Sequence, residues 1–332
     1  MYLNPGKTAY EMATNSEIYI DKTEMIMYLN TLVNTNQRFV SISRPRRFGK
    51  SMAADMICAY YDRGSDSYDM FCDKKMSLCP PVTMRNNTLN WNSYINSFNV
   101  LYMVMTDFAD GSKNISDMLE YLTEEITSEL IKKYPEIEYG NRISLRTVMN
   151  RIYEESNCQF VVIIDEWDVV FRLWKNDKQG QTIYLDFLRD LMKGKNYIAL
   201  AYMTGILPIK KYGQHSALNM FEEYSMIQPM RLAEFTGFTE PEVKALCKEY
   251  EMEFDNVSKW YNGYRLTDYI PVGRRQEFRL GNYSEHKLSI YSPLSVVNSM
   301  RNGIVDNYWN KTETYEALAD YIKLNFDGSR TL

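Results

Sequence analysis

An α/β layered domain built on a mostly parallel sheet, with a smaller helical part after it, is the architecture this sequence predicts, and three observations carry that expectation. Short apolar runs rich in β-branched residues, at 39–42, 100–105, 160–164 and 198–203, alternate with longer stretches of helical periodicity. The first run breaks into a basic loop that closes on Gly49-Lys50-Ser51. The third delivers two adjacent carboxylates, Asp165 and Glu166, at its C-terminal end.

The 332 residues, 45% hydrophobic and 24% charged, suit one large domain with an appendage, or two domains. With 38 basic against 43 acidic side chains the net charge is −5, so direct nucleic-acid binding is not expected from overall charge, although local basic patches stay open. Five scattered cysteines without a C-x-x-C pair fit a reducing compartment, and two histidines argue against zinc. The N-terminus lacks the order of a signal peptide, and no apolar run approaches the roughly 18 residues of a membrane helix. A cytoplasmic location without a membrane partner is therefore expected.

In chain order, the segment ending Tyr19-Ile20-Asp21-Lys22-Thr23-Glu24 leads into a helix marked by Met25, Ile26, Leu29 and Leu32, with Asp21 and Glu24 resembling a capping box. Strand 39–42 follows, then a helix over 51–61. Residues 63–99, with Pro80-Pro81 and Asn86-Asn87, read as an irregular insertion or lid. The strands at 100–105, 160–164 and 198–203 are separated by helices over 115–134, 143–155 and 183–192. Uninterrupted apolar runs of this kind belong to strands covered on both faces. From about 232 the character changes. Thr239-Glu-Pro-Glu-Val opens a helix with Pro near its first turn, and a second helix over 255–261 ends at Asn262-Gly263. The domain expectation is thus a core over 1–231, a helical lid over 232–300 carrying a polar hairpin or loop at 266–287 with Arg274, Arg275 and Arg279, and a tail over 301–332.

The loop after the first strand has the ending of a phosphate-binding P-loop, in which backbone N–H groups and a helix N-terminus wrap phosphates, a lysine reaches the β/γ-phosphates and a hydroxyl holds Mg²⁺. Gly49, Lys50 and Ser51 fill those places, while Arg44 stands where the first glycine of G-x-x-x-x-G-K-[ST] belongs. Pro45 restricts Arg44 to extended backbone, so Arg44 reads as the end of the strand. The third run is the pattern of a Walker B strand: Asp165 is the expected second metal ligand beside Ser51, and because side chains alternate along a strand Glu166 points away from Asp165, which makes it the expected base for a water attacking the γ-phosphate. Each motif alone also fits an ordinary strand tip. Their joint presence, in this order and over a hundred residues apart, predicts a P-loop NTPase three-layer sandwich binding ATP and Mg²⁺.

Further candidates surround this pair. Thr204, ending the fourth run, either contacts the γ-phosphate or attacking water, or caps a strand-to-turn transition before Gly205. Arg46, Arg47 and Phe48 complete the loop, the arginines offering charge-assisted phosphate contacts or simply facing solvent. Asp21 and Lys22 lie just upstream of the first strand, where entry segments of P-loop proteins pass near the base, though capping also accounts for Asp21. Trp167 and Asp168 read as local support, and Trp260, Tyr261 and Tyr264 as packing of the helical part. Arg231 is noted as a possible arginine donated to a neighbouring subunit.

These blocks together resemble the bacterial AAA-ATPase-like proteins that often carry a PD-(D/E)XK nuclease-like domain after the ATPase part. The resemblance rests on Tyr19-Ile-Asp-Lys-Thr23, Ser43-Arg-Pro-Arg-Arg-Phe-Gly-Lys-Ser51, Ile164-Asp-Glu-Trp-Asp168, Thr204-Gly-Ile-Leu207, Glu234-Phe-Thr-Gly-Phe-Thr-Glu240 and Trp260-Tyr-Asn-Gly-Tyr264. It implies that the absent first glycine is a family trait, that a strand is inserted between the two Walker strands, and that a helical lid follows. Two departures stand out: Tyr291-Ser-Pro293 stands where family members commonly show Tyr-Asn-Pro, and the chain stops at Leu332, about where the family's nuclease-like domain would begin, with no convincing Asp and Glu-x-Lys constellation left, so nuclease activity is not expected of this chain.

The leading functional expectation is a Mg-ATP-binding ATPase acting as a slow molecular switch, read by an unidentified protein partner or by a nuclease-like domain. A non-hydrolysing nucleotide-binding or interaction module with a vestigial P-loop is the alternative. A small-molecule kinase comes third, because an Asp-Glu pair suits activation of water better than transfer to a metabolite.

Overall fold

The computed structural model describes residues 1–84, 87–209, 216–226, 230–262, 264–271 and 283–308, with the backbone alone over 264–271 and 283–287. The hairpin arginines at 274, 275 and 279 and most of the expected tail lie outside these residues. The chain divides into two compact units, one formed by 1–43 and 50–225, the other by 44–49 and the residues from 226 onward. The division falls after Ser225, where the sequence reading places a boundary after 231, and it assigns most of the phosphate-loop segment to the second unit.

The first unit is organised by a five-stranded sheet of order β4-β5-β6-β1-β7, from β1 (Phe39–Ser43), β4 (Asn99–Val104), β5 (Phe160–Asp165), β6 (Ile198–Gly205) and β7 (Glu222–Tyr224). All four pairings within it are parallel. Every residue of β1, β5 and β6 is buried, as the unbroken apolar runs require of strands covered on both faces. Helices at Lys50–Tyr61, Ile115–Lys133, Leu145–Ser156 and Lys178–Met192 flank the sheet. Side chains such as Leu122, Ile126, Val148, Ile152 and Leu188 join Phe160, Val162, Ala201 and Met203 in one core.

Helix starts follow local side-chain chemistry. Asn114, Ser144 and Asp177 each accept a backbone N–H of their own first turn, at 2.9, 3.2 and 2.8 Å, satisfying donors that no helical carbonyl reaches. The third cap explains why the last of these helices begins five residues before the expected 183: its first turn, Lys-Gln-Gly-Gln, is polar and carries no apolar period. At the helix Glu24–Asn30, the second in the chain after Thr8–Thr14, the expected capping box is not formed. Thr23 is the N-cap residue without a side-chain cap bond, and Asp21 accepts Thr23 N–H at 2.8 Å and Lys75 N–H at 2.7 Å.

The expected irregular insertion contains a turn of helix at Tyr68–Phe71, a 3-10 turn at Lys75–Leu78 and a hairpin of β2 (Val82–Met84) and β3 (Asn87–Leu89). Phe71 anchors it, stacked on Tyr10 at 5.5 Å and edge-on to Tyr60 at 5.4 Å. Strand β7 escapes sequence reading because Glu-Glu-Tyr shows no apolar run. Its Glu223 is nevertheless buried, accepting Ser43 Oγ at 3.2 Å and Ile209 N–H at 2.8 Å.

In the second unit, β8 (Phe238–Thr239), β10 (Tyr283–Tyr291) and β9 (Tyr264–Pro271) form an antiparallel sheet in that order. Helices at Glu240–Glu249, Phe254–Tyr261 and Pro293–Asn302 accompany it. The first starts where the Thr-Glu-Pro-Glu motif predicts, with Glu242 Oε2 accepting Thr239 N–H at 2.8 Å. Phe48 packs with Ala233 and Ile290, and its carbonyl accepts Gly237 N–H at 3.0 Å.

Candidate active site

Strand register brings the chemistry to one edge of the sheet. Ser43, the last residue of β1, pairs with Gly205, and Ile42 with Thr204, while Ile164 pairs with Met203. Three neighbouring strands therefore end together at their C-terminal edge, where open parallel sheets bind ligands. Strand β6 lies between β1 and β5, the inserted strand that the resemblance implies.

Asp165 is the hub of this edge. Its Oδ2 accepts from Ser51 Oγ at 2.5 Å, and its Oδ1 accepts from the Thr204 hydroxyl and from Glu166 N–H at 3.0 Å. Three separately coded segments thus converge on one buried carboxylate. The Thr204 hydroxyl donates to Asp165, a contact that is neither the expected phosphate or water contact nor the expected turn cap. Lys50 is itself buried, and desolvation holds its ammonium below the usual lysine range, opposed by the charges of Asp165, then Asp168 and Glu166.

The structure revises the argument that placed Glu166. Strand β5 ends at Asp165, and Glu166 adopts left-handed backbone, φ 53°, so its direction is set by a turn and not by strand alternation. Its Oε2 accepts from Arg172 Nη2 at 2.5 Å. The next two residues are the local support expected of them. Trp167 is fully buried, and its backbone N–H donates to the Thr204 carbonyl at 3.0 Å. Asp168, also fully buried, accepts from Ile206 and Leu207 N–H at 3.2 and 3.0 Å, tying the turn after β5 to the turn after β6. Burial pushes the Asp168 carboxyl up, and the Arg172 guanidinium, 3.5 Å away, pulls it back.

Gly205 makes this junction possible. A β-carbon there would meet Trp167 Nε1 at 2.5 Å, Cδ1 at 2.6 Å and Asp168 Oδ1 at 2.9 Å. Gly205→Ala is expected to destabilise the protein by about 1–3 kcal/mol, since a buried indole backed by core has no room to retreat. Thermal unfolding checks it, and an unchanged midpoint refutes it.

Asp55, one turn beyond Ser51, accepts the Tyr102 hydroxyl at 3.1 Å. Burial, reinforced by Asp165 and opposed by that hydrogen bond, leaves its carboxyl pushed up to about 6. A carboxyl whose pKa is raised by folding stabilises below its unfolded value near 4, and that stability is lost as pH rises through about 6. Asp55→Asn, which keeps the acceptor, is therefore expected to raise the melting temperature at pH 7.5 by the equivalent of about 1–2 kcal/mol, with the gain shrinking towards pH 4.5. Melts at the two pH values decide the point.

The remaining candidates are placed differently. Gly49 and Arg47 both take positive φ, 81° and 65°, and Gly49 supplies the conformation the loop needs at no steric cost. Phe48 is an apolar anchor through its side chain, and Arg44 is buried just past the end of β1. Asp21 is committed to Thr23 and Lys75, and the Lys22 carbonyl accepts Met25 N–H at 3.1 Å. Sequence reasoning missed Arg172. Its only trace was the i,i+4 spacing from Asp168, a common surface pattern.

For a metal, the donors present are hard oxygens from Ser51 and Asp165. Among the described residues no cluster of three or more His, Cys, Asp or Glu could hold an ion. Two protein oxygens with the remainder left to phosphates and water suit Mg²⁺, which retains its waters.

Fold and site together define the class: an α/β protein of the P-loop NTPase kind. A family profile described as "Predicted AAA-ATPase" matches residues 7–214, and the chain belongs to this AAA-ATPase-like family. Nucleotide binding of a general ATPase-like kind follows from that membership. A curated relative, an uncharacterized protein in the vnfD 5′ region of Azotobacter chroococcum mcd 1, is 21% identical over 79% of this chain and 49% of its own length. The chain thus spans about half the length of that relative. Among the described residues no helix is long and apolar enough to cross a membrane.

Proposed function

We propose that the protein binds Mg-ATP and hydrolyses it slowly, as a switch whose state is read by a partner protein or a further domain. The observation that carries this reading is the convergence of Ser51 and Thr204 on Asp165, at a strand edge that also presents Lys50 and Glu166. In this reading Lys50 neutralises the β/γ-phosphates, Ser51 and Asp165 hold Mg²⁺, and Thr204 fixes the rotamer of Asp165. Mg²⁺, when bound, draws charge from the phosphates. Glu166 accepts the proton of the attacking water, and the backbone N–H groups at 46–49 wrap the phosphates, with Arg46 and Arg47 adding charge.

Isothermal titration with Mg-ATP, paired with phosphate-release kinetics on the same protein, tests the reading. Saturable Mg²⁺-dependent binding with measurable release supports it. Absence of nucleotide binding ends it, and tight binding without any release reduces it to a nucleotide-binding module.

A further inference from the structure

Arg172 belongs to no phosphate-binding motif, yet it is the residue on which the expected base depends. It sits on the short helix Val169–Leu173 immediately after the β5 turn, with its side chain only 15% exposed. One edge of its guanidinium donates through Nη2 to Glu166 Oε2 at 2.5 Å, and its Nε lies 3.5 Å from Asp168 Oδ2, an ion pair without a hydrogen bond. Asp168 has no water access and grips the backbone after β6 through Ile206 and Leu207. The ion pair is thereby anchored to the strand that carries Thr204.

What this arrangement leaves available is informative. Glu166 is engaged through a single oxygen, its side chain is 34% exposed, and Oε1 makes no hydrogen bond among the described residues. A carboxylate on a left-handed turn, with one oxygen fixed and its side chain about one-third exposed, is restrained in direction without being closed off as a proton acceptor. A planar guanidinium is suited to this: it hydrogen-bonds Glu166 while its Nε stays within ion-pair distance of Asp168 without a hydrogen bond, a relative geometry that a flexible ammonium does not impose. The Lys50 ammonium lies within electrostatic reach of Glu166, Asp168 and Arg172 alike.

We infer that Arg172 is a positioning residue for hydrolysis: it clamps Glu166 against Asp168 and so fixes the base relative to Thr204 and Asp165. The inference rests on the ATPase reading above and on Glu166 as its base. It makes Arg172 a determinant of turnover and not of nucleotide affinity.

The test compares Arg172→Gln, Arg172→Lys, Glu166→Gln and the Glu166→Gln/Arg172→Gln pair, by single-turnover hydrolysis and by titration with a non-hydrolysable ATP analogue in Mg²⁺. Arg172→Gln is expected to lower the rate at least about 10-fold, as misplacement of a reacting group does, with analogue Kd within about 3-fold of wild type. Arg172→Lys should recover part of the loss. In the Glu166→Gln background the second substitution should cost nothing further, because a positioning residue has no effect without the group it positions.

A rate within about 3-fold of wild type in Arg172→Gln, or an equal fractional loss in both backgrounds, overturns the inference. Should Arg172→Gln leave Asp168 as an unpaired buried charge and fail to fold, Arg172→Gln combined with Asp168→Asn removes that charge and is read in the same two backgrounds. Turnover lost in Glu166→Gln but kept in the Arg172 variants refutes this inference alone. Turnover kept in Glu166→Gln refutes the base assignment beneath it.

Discussion

Lys50→Ala is expected to weaken Mg-ATP binding at least about 10-fold, and with it to abolish hydrolysis at moderate nucleotide concentration. Hydrogen bonds to charged groups contribute roughly 1.5–3 kcal/mol each, and Lys50 offers up to three such donors to phosphate. The site also explains why this lysine responds to a nucleotide. Its ammonium is buried, desolvation disfavours its charge, and the carboxylates of Asp165, Asp168 and Glu166 oppose that shift. A phosphate chain supplies stronger compensation than Asp165, Asp168 and Glu166, which are already engaged with Ser51, Thr204, Arg172 and backbone N–H groups. Titration of wild type and variant, with circular dichroism showing both folded, decides it. Equal affinities would remove the P-loop from the mechanism.

Glu166→Gln is expected to separate binding from chemistry: nucleotide affinity stays near that of wild type while phosphate release falls by about 10²–10⁴, the usual contribution of a positioned general base. Glutamine preserves the shape of the side chain and can still accept a hydrogen bond from Arg172, so the β5 turn should persist. It loses the capacity to take a proton from water. An unchanged release rate would show that Glu166 serves only as the counter-charge of Arg172. A loss of affinity as large as the loss of rate would place it in ground-state binding.

Much of the site was legible because its parts are punctuated by abrupt changes of residue type. Fully buried parallel strands demand unbroken apolar runs, so a polar residue at the end of one marks where the chain leaves the core. Asp165, Glu166 and Thr204 stand at or just past such ends, and Lys50 and Ser51 open the helix that follows the loop after β1. Residues at the interior of short polar segments gave no such contrast. Strand β7 is Glu-Glu-Tyr, and the helix bearing Arg172 has five residues, too few to show a period. Asp21 illustrates the opposite error, a motif-like spacing that the fold spends on tying two segments together.

By itself, then, the sequence determined the α/β layered class, the order of the motif-bearing strands along the chain and the chemical types gathered at their ends, since each follows from local pattern: apolar run length, loop composition and the residue that ends each run. Tertiary structure alone decided which strand lies between which, that Thr204 and Ser51 share one carboxylate, that Glu166 turns left-handed, and that Arg172 clamps it. The physical reason is the range of the interactions. Hydrophobic periodicity is written within a dozen residues, whereas the contacts at Asp165 join positions 114 and 39 residues apart, and only the register of a closed-packed parallel sheet brings them within hydrogen-bonding distance.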